Sequence, residues 1–284
     1  MIEIPNPDSV QSVADWVELD TSITHNHVSK AEVVAAIERT AGQEPSDAFV
    51  SSLWRELSFR KQSYKQTFFE LTNYSLEPQV GGDPPPEYMT CLLLSLYGLP
   101  GHTQIPSRLF EKMVCTAVRQ YLAGQAVVFG WPIAVDTDEL EDEETAIKRM
   151  VKSVASEMRE RFCEAPAARF KDRGVDVIAW LPFADMRSGQ VAVLLQCGAG
   201  LNWRNKLPVP LDAWCQYIHW ASNPVKAFAV PCVIDNKQWH DISKDRGILF
   251  DRIRILNLLP NGVQDPTLRQ ELKEWVHGQV AELV

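Results

Sequence analysis

The sequence predicts an α/β fold in which a mixed central sheet is flanked by helices and preceded by a helical N-terminal region. Three observations lead to this prediction. Apolar residues follow helical spacing through much of residues 1–80. From residue 105 onward, short strand-like apolar runs alternate with amphipathic helices, which is typical of helices packed on a sheet. Between these parts, residues 81–86 are glycine and proline with one aspartate, a composition that continues neither a helix nor a central strand.

Residues 1–80 are interpreted as a helical accessory region. Residues 29–32 (Ser-Lys-Ala-Glu) have capping-box spacing and precede apolar positions, so a helix is expected to begin there. A second amphipathic helix is expected at about 46–60. Residues 81–104 then form a linker and a connecting helix, which is expected at 87–97. We find no cluster of catalytic side chains in the first 80 residues.

Residues 105–284 are interpreted as one α/β domain. An amphipathic helix with a broad apolar stripe is expected at 107–122. A helix at about 140–162 begins with acidic residues, as the helix dipole favours. The C-terminal helix has Asp265 as its cap and Pro266 in its first turn. The strand-like runs are 125–131, 174–180, 190–197, 226–234 and 249–256, with a helix at about 211–220 between the third and the fourth.

The composition limits the classes of function. The chain has 284 residues and a net charge of −9, which excludes a protein that coats nucleic acid through a broad basic surface. A nucleic-acid site would need a local cluster of lysine and arginine, or carboxylates neutralised by a metal. No apolar run approaches the roughly 20 residues of a membrane-spanning helix, so no membrane partner is expected. The first ten residues do not resemble a secretory signal, and the six cysteines form no C-x-x-C pair, so a cytoplasmic protein with free thiols is expected.

Three side chains, Glu111, Asp176 and Gln196, are the candidate site residues. Glu111 lies near the edge of the apolar stripe of its helix, where a carboxylate can reach the rim of the sheet. Asp176 interrupts an apolar strand, where a charge is costly unless it is paired or bound to a metal. An aspartate that caps a neighbouring loop is the alternative interpretation. Gln196 ends an apolar run just before a turn of small residues.

The segment 182–189, between the strands that carry Asp176 and Gln196, is predicted to be a hairpin loop. If strand pairing is symmetric about Met186, residue 181 lies opposite 191. Asp176 then lies opposite Gln196, with Cβ atoms roughly 5 Å apart. Mg²⁺ prefers oxygen ligands and keeps several waters, so two or three protein oxygens suffice to bind it. The carboxylate and the amide oxygen therefore indicate a hard-cation site.

The order of these motifs resembles the restriction-endonuclease-like superfamily, the PD-(D/E)xK nucleases, and especially its branches with glutamine in place of the second acidic residue. The motifs are Glu111 in a helix with LFEKMV, Asp176 in a strand with GVDVI, and a hairpin that leads to an apolar strand ending in Gln196. Over residues 105–260, the resemblance implies that Asp176 is the principal ligand of Mg²⁺ or Mn²⁺ and that Glu111 is a second or water-mediated ligand. Gln196, in the position usually held by glutamate, would contribute its carbonyl oxygen. The resemblance also implies that the metal activates a water and neutralises charge on the scissile phosphate.

The lysine of this family is expected two residues after Gln196, but Gly198 stands there. A lysine at that position orients the attacking water and stabilises charge on the phosphate. Lys206 and Arg204, on the following loop, are the candidate replacements. An ordinary solvated basic loop is the alternative interpretation.

Further residues are candidates for nucleic-acid binding. Trp203, beside Arg204, could stack on a base, with core packing as the alternative. The segment 251–255 alternates charged and apolar residues, which predicts a half-exposed strand. Arg252 and Arg254 would then share one face and could contact a phosphate backbone, although a solvated sheet edge explains them equally well.

The expected function is therefore metal-dependent hydrolysis of phosphodiester bonds, with DNA favoured over RNA. A prokaryotic restriction or antiphage-defence system is the expected setting, by analogy of fold. The alternative is a nuclease fold that has lost activity and serves as an interaction subunit of a defence complex. The acidic composition also favours a protein partner or a homo-oligomer, in which other chains supply the basic surface.

Overall fold

The predicted fold class is confirmed by the structure, a computed structural model that describes residues 2–79, 82–99, 104–129, 143–167 and 172–283. A mixed five-stranded sheet is flanked by helices, and a helical region precedes it. Within the described ranges, no helix is both long and apolar enough to cross a membrane. Four predicted parts lie outside the described residues: the strand end at 130–131, the helix start at 140–142, and the linker positions 81 and 100–103.

The N-terminal region contains four helices and three short strands in its described part. These are α1 (Val10–Thr24), β1 (Val28–Ser29), α2 (Lys30–Ala41), α3 (Asp47–Ser63), β2 (Phe69–Leu71), β3 (Ser75–Pro78) and α4 (Pro86–Tyr97). The predicted capping box is present, because Ser29 Oγ accepts from the Glu32 N–H and the Glu32 carboxylate accepts from the Ser29 N–H. The antiparallel sheet β1-β3-β2 was not predicted, since strands this short leave no clear alternation in the sequence.

The α/β part follows with strands and helices in alternation. Its elements are α5 (Ile105–Leu122), β4 (Gln125–Val128), α6 (Glu143–Glu157), β5 (Arg161–Phe162), β6 (Val177–Leu181), β7 (Val191–Cys197), a short 3-10 turn (Trp203–Asn205), α7 (Leu211–Tyr217), β8 (Ile218–His219), β9 (Val225–Ala229), α8 (Asn236–Arg246), β10 (Ile248–Phe250), α9 (Arg252–Leu258) and α10 (Pro266–Leu283). The C-terminal helix begins as predicted, with the Asp265 carboxylate accepting from the backbone N–H of Thr267.

The central sheet has the strand order β10-β9-β7-β6-β4. Strands β4, β6 and β7 pair antiparallel, whereas β7, β9 and β10 pair parallel. The carboxyl ends of the three parallel strands and the start of β6 therefore meet at one edge of the sheet. This edge brings together the residues that precede β6 and those that end β7.

Both faces of the sheet are covered by apolar cores. Val177 and Ala179 of β6 belong to a core that includes residues of α5, while Ile178 and Trp180 belong to a second core that includes residues of α6 and α7. A strand buried on both faces reads as a nearly continuous apolar run. This is the physical reason that a charged residue at the start of β6 stands out in the sequence.

The N-terminal helices pack directly on the α/β part. Their apolar core includes Val233, Ile253 and Leu256 from the C-terminal half of the chain. Helix α4 also contacts α10 and α9. The two parts of the chain thus share a buried interface.

Candidate functional site

The candidate site lies at the sheet edge where β6 begins and β7 ends. The register predicted from the hairpin is confirmed, since Leu181 pairs with Val191 and Val177 pairs with Leu195. The same register continued by one residue places Asp176 opposite Gln196. The Asp176 N–H donates to the Leu195 carbonyl at 2.9 Å, so the ladder extends to this residue.

Asp176 is buried, with 9% of its surface exposed. Its Oδ2 accepts a hydrogen bond of 2.6 Å from the Cys197 N–H, so one oxygen does cap the end of the neighbouring strand. Burial raises the pKa of Asp176 to about 6, although the charge of Lys206 and the hydrogen bond from Cys197 lower it. Because burial disfavours the ionised form of a carboxyl group, a nearby cation stabilises that form.

Glu111 approaches Asp176 from α5, the helix packed against β6. Only 7% of Glu111 is exposed, and Arg108 Nη1 lies 3.2 Å from its Oε2. Burial, followed by the nearby charge of Asp176, raises the pKa of Glu111 to about 7, against the lowering effect of Arg108. The negative charge of Asp176 is thus one of the causes that raise the pKa of Glu111.

The Gln196 side chain, on the strand position opposite Asp176, is buried, with 7% exposed. Its amide oxygen Oε1 is buried, and none of the described residues donates a hydrogen bond to it. A Cβ at Gly174, where φ is +77°, would lie 3.0 Å from Gln196 Nε2, so the glycine turn before β6 leaves room for this amide. An unsatisfied buried carbonyl oxygen on the strand position opposite a carboxylate is an acceptor that a cation or an ordered water would satisfy.

The position of the missing lysine is filled by other side chains. A Cβ on Gly198 would lie 2.8 Å from Trp203 Cβ and 2.8 Å from Phe228 Cζ, so no larger residue fits without displacement. The loop that carries Trp203 returns Lys206 to the site, where its Nζ donates to the Cys197 carbonyl at 2.7 Å. The structure therefore brings Lys206 next to Asp176, as the sequence allowed.

Two neighbouring residues of that loop lie elsewhere. Trp203 is 6% exposed and packs on Phe228, so the prediction that it stacks on a base is wrong and core packing is its role. Arg204 covers the Trp203 ring at 4.3 Å and donates to Gln238 Oε1 at 2.9 Å. Arg204 is exposed, outside the group formed by the carboxylates and Lys206.

The predictions for Arg252 and Arg254 are also corrected. The segment 251–255 is not a strand, because β10 ends at Phe250 and α9 begins at Arg252. Arg252 is completely buried, with its Nη2 2.7 Å from Asp15 Oδ1, and cannot contact DNA. Arg254 is exposed, lies over the Trp239 ring at 4.5 Å and donates to the Leu249 carbonyl. The two side chains therefore do not share a phosphate-binding face.

Two residues near the site were missed. Arg108 precedes Glu111 by three positions on α5, a spacing that places side chains on the same helix face and could have indicated the contact. Asp172 lies in the turn before β6, where its Oδ1 accepts from the Gly174 N–H, and its charge raises the pKa of Asp176 and of Glu111. No spacing in the sequence identifies Asp172 as part of the site.

The donor set consists of two carboxylates and one amide oxygen. In the described part of the chain, no group of three or more His, Cys, Asp or Glu side chains is arranged to hold a metal. The orphaned Oε1 of Gln196 makes the set compatible with a hard cation that keeps several waters. Comparisons with protein-family models, with curated proteins and with solved structures found no match to this chain.

Proposed function

We propose that this chain is a nuclease that uses Mg²⁺ or Mn²⁺ to hydrolyse phosphodiester bonds, with DNA as its substrate. The observation that supports the proposal is the buried Gln196 Oε1 without a partner, on the strand position opposite Asp176. Burial raises the pKa of Asp176 and of Glu111 at the same site. The resemblance to the PD-(D/E)xK nucleases, in the order of motifs around Glu111, Asp176 and Gln196, supports the same assignment.

In this proposal the side chains have separate roles. Asp176 and Glu111 hold the cation through carboxylate oxygens, and Gln196 contributes its amide oxygen. The cation, when bound, supplies a Lewis acid that activates water and neutralises phosphate charge. Lys206 Nζ, beside Asp176, stabilises the negative charge that develops on the phosphate and orients the attacking water. The reaction adds water across one P–O bond, and a proton is transferred to the leaving oxygen.

The proposed setting is a prokaryotic restriction or antiphage-defence system in the cytoplasm. All six cysteines are free thiols, which fits a reducing compartment. The net charge of −9 opposes unassisted binding to DNA, so the proposal includes a protein partner or further copies of this chain that supply basic surface. The exposed Arg204 and Arg254 are the described candidates for contact with the nucleic acid from this chain.

Cleavage of a supercoiled plasmid in Mg²⁺ or Mn²⁺ tests the proposed function. The wild type is compared with Asp176→Ala and with Asp185→Ala, a control that removes an exposed carboxylate from the β6–β7 hairpin. We expect Asp176→Ala to lower the rate of plasmid cleavage by about 100-fold or more, since it removes a metal ligand. Asp185→Ala should cleave at the rate of the wild type. Cleavage that survives Asp176→Ala would exclude this site as the hydrolytic centre.

A second candidate function is that of an interaction subunit that retains the nuclease fold without activity. One observation favours it: Lys206 Nζ is engaged with the Cys197 carbonyl instead of standing on the β7 strand as the family lysine does. Isothermal titration with Mn²⁺ separates the two functions. Binding that is lost in Asp176→Asn supports the nuclease, whereas absence of Mn²⁺ binding together with absence of cleavage supports the interaction subunit.

A further inference from the structure

Arg108 is placed to contact the candidate site from its solvent side. It lies one helical turn before Glu111 on α5, with Nη1 3.2 Å from Glu111 Oε2. Its side chain is 23% exposed, compared with 9% for the side chain of Glu111, so Arg108 is the more accessible member of this ion pair. Burial raises the pKa of Glu111 and of Asp176, and the positive charge of Arg108 lowers both. The guanidinium is therefore in direct contact with one proposed metal ligand, Glu111.

The two basic residues near the site, Lys206 and Arg108, have different partners in the structure. Lys206 Nζ donates to a backbone carbonyl, while Arg108 is bonded to the carboxylate of Glu111 itself. A divalent cation bound to Glu111 and Asp176 would compete with Arg108 for the same negative charge. Arg108 would then lose part or all of its contact with Glu111, because the positive charges of the cation and the guanidinium repel each other when both are next to the same carboxylate.

A released guanidinium has a specific use at a site that acts on phosphodiesters. Arginine presents five donors in a planar fork that matches two phosphate oxygens, which an ammonium group does not. The side chain of Arg108 is partly exposed, so its guanidinium is accessible to a phosphate group that approaches from solvent. The partner that fits it is a phosphate group of the nucleic-acid backbone.

We propose that Arg108 has two alternating partners: it is the counter-ion of Glu111 when the site holds no metal, and it binds the backbone phosphate when metal and substrate are present. This inference rests on the proposed function, because it requires a cation at Glu111 and Asp176. It adds a substrate-binding residue on α5 that the motif resemblance does not supply.

The test compares Arg108→Gln with Lys112→Gln. Lys112 is a matched control because it lies on the same helix and carries the same charge, but it pairs with the exposed Glu271 at 2.7 Å. Mn²⁺ affinity is measured by titration calorimetry on the full chain. We expect Arg108→Gln to bind Mn²⁺ about fivefold more tightly than the wild type, since the competing ion pair is gone. We expect Lys112→Gln to bind it unchanged.

The second measurement is the affinity for a labelled DNA duplex in the presence of Mn²⁺, together with the cleavage rate. We expect Arg108→Gln to weaken duplex binding by about tenfold despite its tighter Mn²⁺ binding. Arg108→Lys keeps the charge without the fork, so it should bind Mn²⁺ like the wild type and bind the duplex more weakly. A residue that only supports the fold would not tighten the binding of metal while weakening that of DNA.

The outcomes separate this inference from the proposed function. If Asp176→Asn abolishes Mn²⁺ binding but Arg108→Gln leaves Mn²⁺ affinity unchanged or weaker, the role of Arg108 is overturned and the metal site stands. If the wild type and Asp176→Asn do not differ in Mn²⁺ binding, the proposed metal site fails, and the inference about Arg108 fails with it.

Discussion

Replacing Arg252 by methionine should strongly destabilise the fold. Arg252 is fully buried, with Nη2 2.7 Å from Asp15 Oδ1 and 3.3 Å from Glu18 Oε1. Its Nε donates to Tyr64 Oη at 2.9 Å. Arg60 Nη1 contacts the same two carboxylates at 2.5 and 2.7 Å. These five side chains form the buried ion cluster, in which two guanidinium groups contact two buried carboxylates between the N-terminal helices and α9. Arg60 Nε also pairs with Glu56 at 2.7 Å.

The magnitude follows from the charge that the substitution leaves behind. In Arg252→Met, one guanidinium faces two buried carboxylates, and removing one partner of a buried ion pair costs about 3–5 kcal/mol of unfolding free energy. The total stability of a protein is about 5–15 kcal/mol. The melting temperature should therefore fall by an amount on the order of 10 °C. Methionine fills much of the space of the arginine side chain, so a cavity contributes little to this loss.

Urea unfolding, followed by tryptophan fluorescence, measures the effect. Arg254→Met, two positions along the same helix, is the control, because Arg254 is exposed and should change the unfolding free energy by less than about 1 kcal/mol. A loss below about 1 kcal/mol in Arg252→Met would refute the reasoning, since that is the range of an exposed side chain.

The pH dependence provides an independent check on the buried ion cluster. Burial alone would raise the pKa of Asp15, but the charges of Arg252 and Arg60 lower it below its ordinary value. A carboxylate with a lowered pKa stabilises the fold above its unfolded pKa of about 3.9, and that stability is lost as the pH falls through the folded pKa. The difference between the wild type and Arg252→Met should therefore be largest at neutral pH and smaller below about pH 4.

Three further perturbations have defined outcomes. In metal-free buffer, Glu111→Gln should stabilise the fold by about 2 kcal/mol at pH 8 and little at pH 4. The pKa of Glu111 is raised in the folded protein to about 7, so the wild type loses stability as the pH rises towards 7, whereas glutamine does not ionise. Equal effects on urea unfolding at both pH values would contradict this. Gly198→Ala should cost about 1–3 kcal/mol, because its methyl group would meet Trp203 and Phe228 at 2.8 Å; an unchanged melting temperature would mean that the loop moves freely. Ser29→Ala should cost about 1 kcal/mol by removing the cap of α2, and Ser29→Thr should restore most of that loss in the same thermal assay.

The relation between Asp176 and Gln196 could be predicted because it depends on local sequence. Two apolar runs joined by one hairpin loop allow few registers, and a slip of one residue would turn every side chain of a strand to the opposite face. Symmetry about Met186 was therefore enough to pair Asp176 with Gln196, and the observed pairs agree with it. The position of Glu111 near the edge of its apolar stripe was likewise local information.

The segment 251–255 shows where such local information fails. Five alternating residues are compatible with a strand and with the first turns of a helix, and the deciding feature is Asp251, which caps α9 by accepting from the Arg254 N–H at 3.0 Å. Arg252 points into the protein, because its guanidinium donates hydrogen bonds to Asp15 and Tyr64 there. Those partners lie about 190 to 240 positions earlier in the chain, so no window of sequence could reveal them.

Whether a lysine side chain reaches Asp176 also depends on packing between residues that are distant in the sequence. Phe228 and Trp203 occupy the space beside Gly198, and the loop that carries Trp203 then directs Lys206 back to the Cys197 carbonyl. The strength of an electrostatic interaction depends on distance and burial and not on sequence spacing. A test restricted to the residue two positions after Gln196 would therefore reject the site, although the fold brings a lysine to Asp176 from ten residues beyond Gln196. A functional test has to remove the charge of Lys206 itself, because the identity of residue 198 does not decide whether a cation is present.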